Sequence, residues 1–144
     1  MSTSGDAPEA IVDAAPFRAR CNTIEEAYEF FLAYASQGLS PDQGNDPGRQ
    51  AREYLQRCAA ALDGLGNVLT QGLTGLGGDS AAPYREFVRV IDQDARAALA
   101  AVRLVLALPS IGSQVVDNLN ASIHLRALLT DLFLIDEVLK TRGY

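Results

Sequence analysis

Three stretches of this chain place apolar residues at alternating intervals of four and three. They run Ala51, Leu55, Cys58, Leu62, Leu65, Leu69; then Tyr84, Val88, Ile91, Ala95, Ala98, Val102, Val105; then Ala121, Leu125, Leu128, Leu132, Ile135, Leu139. A mean spacing of 3.5 residues follows one face of an α-helix and contradicts the period of two that a half-buried strand requires. A stripe of this kind leaves water only by facing another such stripe, so several amphipathic helices must pack together. A fourth, more aromatic set, Ile24, Ala27, Tyr28, Phe31, Tyr34 and Ala35, recurs at the same kind of spacing.

Punctuation residues divide the chain accordingly. Thr23-Ile24-Glu25-Glu26 fits a capping box and opens a first helix, which Gly38 closes. Leu39 to Asn45 reads as a loop, and Asp46-Pro47 starts the second helix. Gly64, Gly66 and Gly72 weaken that helix by about 1 kcal/mol each relative to alanine. It should therefore fray into the loop Gly72 to Gly78. Asp79 or Ser80 caps the third helix, Pro83 lies in its first turn, and Pro109 ends it. Ser110 to Ser113 leads to the last helix, whose end carries Lys140 and Arg142. The expected fold is all-α: an antiparallel up-and-down four-helix bundle over residues 17–144. A flexible N-terminal arm, residues 1–16, precedes it.

A hairpin of the third and fourth helices, turning at Pro109–Ser110, can be tested in the sequence itself. Arg89, Arg96 and Arg103 recur at steps of seven, as do Asp117, His124 and Asp131. Residues equidistant from the turn pair Arg103 with Asp117, Arg96 with His124, and Arg89 with Asp131. This polar stripe is expected to form salt bridges between the helices. With Asn120 it also places the one histidine on a face with two carboxyl groups, the most tempting site for chemistry.

Charge and missing motifs narrow the function. The net charge of −6 opposes nucleic-acid binding and adsorption to an anionic membrane. The longest apolar run, Ala97 to Leu108, is shorter than the roughly 20 residues of a membrane span and contains Arg103. One histidine cannot supply the paired Glu-x-x-His of a di-iron bundle, and no His-Glu-x-x-His is present. The spacing of Cys21 and Cys58 matches no metal or redox motif, so free thiols in a reducing cytoplasm are expected, with no metal and no cofactor. The start of the chain has neither the basic residues nor the apolar core of a secretion signal. Gly72 to Gly78 lacks the Lys-Ser/Thr ending of a phosphate loop. A phosphotransfer histidine needs room beside its ring, and His124-Leu125-Arg126-Ala127 has no glycine to provide it.

What remains is surface. Tyr28, Phe30, Phe31 and Tyr34 are too many aromatics for one face of a helix, and Phe133 with Leu134 widens the apolar face of the last. Aromatic side chains carry much of the energy of protein interfaces. Tyr28, Phe30, Phe31, Tyr34 and Phe133 are therefore the expected interaction surface. The expected function is a non-catalytic, cytoplasmic accessory, adaptor or regulatory module that binds another protein or itself, as a homodimer. One alternative is a bundle that holds a small apolar or aromatic ligand. The other is an enzyme or phosphotransfer domain that uses His124, with Asp131 or Asp117 beside it.

Overall fold

The computed structural model describes residues 12–41 and 46–144. Every regular element among them is helical. The described residues form six α-helices, rather than four: α1 Ala15–Ser36, α2 Asp46–Leu62, α3 Leu65–Gly72, α4 Ala82–Leu106, α5 Ser113–Ala121 and α6 His124–Thr141. A 3-10 turn, Asp79–Ala81, leads into α4.

The first helix begins eight residues before Thr23. Pro16 lies in its first turn, where the missing amide donor costs nothing, so the proline opens the helix instead of breaking it. The Thr23 hydroxyl donates to the Ala19 carbonyl one turn back at 3.2 Å, an interior bond and not a cap. Of the expected arm, residues 1–11 lie outside the described residues. The stretch after them is tied to the body: the Asp13 amide donates to Gly72 O at 3.0 Å, Ala14 is buried, and Val12 packs on the core.

Two breaks convert four expected helices into six. Gly64 has φ 71°, a left-handed conformation open to glycine at little cost, and it separates α2 from α3. Ile123 has φ 66° and separates α5 from α6. A β-branched residue in this region is strained. The local cause is polar: the Ser122 hydroxyl donates to Leu119 O at 2.6 Å, drawing the backbone out of the helical ladder.

Helix α1 packs against α2, α3, α5 and α6, and α4 packs against the same four. Phe30 stacks on Tyr54 across α1 and α2, Phe31 meets Asn120 across α1 and α5, and Tyr84 meets Arg142 across α4 and α6. The heptad stripes supply the core, with Leu55, Leu62, Leu69, Ile91, Val102, Leu128 and Leu132 all buried. Each such aliphatic side chain contributes about 1.5–3 kcal/mol.

The junction of α1 with α5 is held by polar groups. Tyr34 Oη donates to Ile111 O at 2.6 Å, and Ser113 Oγ donates to Tyr34 O at 2.6 Å. Ser113 Oγ also accepts from the Leu39 amide at 2.8 Å, while the Ser113 amide donates to Leu39 O at 2.8 Å. Gly112 lets the strands of this knot touch: a Cβ there would stand 2.8 Å from Pro41 Cδ and 2.9 Å from Leu39 O. Arg52 closes the far end of α4 by donating to the carbonyls of Leu106 and Leu108 at 2.9 and 2.6 Å. Cationic donors at a helix C-terminus satisfy carbonyls that have no partner within the helix.

Candidate functional site

Helix α6 buries Leu125, Leu128, Leu129, Leu132, Ile135 and Leu139. Its opposite side is not wholly polar. Phe133 is 57% exposed, Leu134 54% and Val138 37%, forming a ridge along the outer face. A groove lies on each flank. Toward α4 it holds about 260 Å³ between Pro83, Tyr84, Phe87, Leu134, Ile135 and Val138, with almost wholly apolar walls. Toward α1 it holds about 350 Å³ between Tyr28, Leu129 and Phe133, rimmed by Glu25, Glu29, Arg126 and Thr130. Burial, together with Asp136 and Glu29, pushes the Glu25 carboxyl above its usual range. Beside the α4 groove, Arg142 Nη1 donates to Tyr84 Oη at 3.2 Å.

The aromatic residues singled out in the sequence separate into two groups. Tyr28 and Phe133 meet in the α1 groove. Phe31 and Tyr34 are buried in the core and offer no surface. Phe30 is half-buried between Tyr54, 4.2 Å away and nearly parallel, and Tyr34 at 5.7 Å. The aromatic richness of α1 is therefore mostly packing against its neighbours. Tyr84 and Phe87 escaped the sequence reading as surface residues. Phe87 lies one residue off the Tyr84–Val88–Ile91 seam, and an aromatic residue beside a complete seam is the signal that could have found it.

The polar stripe also divides. None of its three expected pairings occurs among the ion pairs of the described residues. Arg103 lies 3.8 Å from Asp63, on the loop after α2, and Arg96 bridges Asp92 one turn away at 2.9 Å. Arg89 lines a groove toward α3. Asp117 is exposed on α5, and His124 is exposed at the first position of α6. Asn120 is buried and donates to Phe31 O at 3.2 Å. Asp131 sits against Asp94 of α4, and its Oδ2 is buried without a hydrogen-bond partner. The physical reason is the break at Ser122–Ile123. It interrupts the helix before α6, so the heptad register counted from Pro109 is not carried to His124 and Asp131; Asp117 lies before the break, and its expected partner Arg103 is drawn to Asp63 instead. His124 is thus not assembled with Asp117 or Asp131 into an acid–base set.

Cys21 and Cys58 are free and buried, and burial pushes both thiols up to about 12, with Glu25 and Asp136 adding to the effect at Cys21. Among the described residues, no group of three or more His, Cys, Asp or Glu is placed to hold a metal ion. No helix among them is long and apolar enough to cross a membrane. No family model, curated protein or solved structure matches the chain.

Proposed function

We propose that this protein is a non-catalytic helical module that works by pairing with a second copy of itself through the outer face of α6. The observation that carries the reading is the ridge of Phe133, Leu134 and Val138 with an apolar groove on its α4 flank and a groove with a charged rim on its α1 flank. A ridge beside grooves on one face is complementary to its own two-fold image, the arrangement an isologous dimer needs. A contiguous exposed apolar patch is also what a lone soluble domain generally avoids. Glu25, Glu29 and Arg126 would form the polar rim.

In the same reading, α2 with α3 is one rod of a four-helix bundle and α5 with α6 another, each bent at its break. The setting is cytoplasmic. The net charge of −6 supports partners that are neither nucleic acid nor membrane.

Native mass spectrometry with light scattering tests the proposal, at concentrations up to about 100 μM, where a contact of ordinary interface size is populated. The expected result is a dimer that becomes a monomer when Phe133→Ser and Leu134→Ser are combined. A monomeric parent, or a double variant that dimerises as strongly as the parent, overturns the proposal. A small molecule retained in the α4 groove of a monomer would point to the ligand-holding alternative.

A further inference from the structure

We propose that Asp94 and Asp131 form a proton-sharing latch across the α4–α6 seam, closed while one proton is held between their carboxyl groups and loosened when it leaves. The geometry is two acids on facing helices, each half-buried and within hydrogen-bond reach of the other. Asp131 Oδ2 is buried and unpartnered. Neither acid has an ion pair among the described residues. A carboxylate can only accept, so two ionised groups here would repel and leave that oxygen without a donor. A single proton removes both penalties, because a carboxylic acid donates to the carboxylate beside it.

Among the described residues, no charged group of the surrounding elements forms an ion pair with either acid. On α4, Arg96 is held by Asp92, and Arg89 lines the groove on the α3 side. On α1, Arg18 bridges Asp136 at 2.8 Å, and Glu25 and Glu29 lie in the groove with Arg126. On α5, Asp117 is exposed, and on α6 itself Lys140 bridges Asp136 while His124 is exposed. Burial first, then the hydrogen bond and charge of Asp94, raise the Asp131 carboxyl to about 7. The folded protein thus holds this proton more tightly than the unfolded chain. The stabilisation is complete below the ordinary carboxyl range near 4 and is lost as pH rises through about 7. Leu134, which lines the α4 groove, lies one turn from Asp131, so charging the pair acts next to that groove. The latch does not depend on whether the ridge docks a second copy.

Carboxyl-carbon NMR titration of the parent protein tests it directly. A step near pH 7 at Asp131 is expected, and an Asp131 that titrates below pH 5 overturns the proposal. Asp94→Asn supplies an amide donor and should lower the Asp131 midpoint by about two units or more. An unchanged midpoint in that variant also overturns it. The melting temperature of the parent should fall between pH 5 and pH 8, and that of Asp131→Asn should not; parallel profiles would assign the fall to another group.

Discussion

The α1–α5 junction and the α4–α6 seam are both helix contacts, yet they are finished in opposite ways. At the junction, Tyr34, Ser113 and Asn120 reach backbone groups across a gap that Gly112 keeps narrow. At the seam, apolar side chains remain in water and two acids face each other. The contrast separates what holds the molecule from what it has to spare. Buried polar groups with defined partners fix one arrangement, because each costs free energy in any other. Exposed apolar atoms with no partner add little to folding and are free for use by something else.

The contrast can be broken most directly by substitution. Ser113→Ala removes two bonds at a buried site and should destabilise the protein by about 2–3 kcal/mol in denaturant unfolding. Leu134→Ala, measured on the monomer, should cost about 0.5 kcal/mol or less, because the side chain is already half in water. Equal costs would mean that the seam is as structural as the junction. An effect smaller than that of Ser113→Ala, and of opposite sign, is expected at the break beside the seam. Ile123→Gly relieves a left-handed β-branched residue that is 60% exposed and should stabilise the fold by about 0.5–1 kcal/mol. Loss of stability there would show that the isoleucine packs usefully. The smallest effect belongs to the pairing drawn from the sequence. A double-mutant cycle on Arg89 and Asp131 should be additive within about 0.3–0.5 kcal/mol, since no ion pair joins them. Clear coupling would restore the simple hairpin register.

The helical class was legible because four-and-three spacing has one physical solution, and most of the apolar stripes of the last three expected helices line the core, with Ala121 exposed and Tyr84 and Val88 half-buried. The breaks were legible unequally. Gly64 announced a weak point, whereas Ile123 is not a breaker by propensity, and its turn depends on Ser122 bonding backward. Everything that relied on register beyond that point failed with it, including the match of Arg96 and Arg89 to His124 and Asp131, whereas Asp117 lies before the break and its expected partner Arg103 stands against Asp63 instead. Pro16 misled for the opposite reason, since the same ring that interrupts a helix interior suits its first turn. Phe133 could be read as surface because it falls off the Leu125–Leu128–Leu132–Ile135 face. Phe31 and Tyr34 could not be told from surface aromatics by type alone, and only their burial against α5 and the loop before it decides the matter. The Asp94–Asp131 pair lies between two helices whose relative rotation no local pattern encodes.

The two buried thiols carry a consequence of their own. A sulfur atom that is both shielded and hard to ionise reacts with an alkylating reagent only during the brief intervals when its surroundings part. Cys21 sits on α1 close to Asp136 of α6, and Cys58 lies deep in α2. The molecule thus contains two internal clocks, one timing excursions near the last helix and the other timing those on the far side of the first.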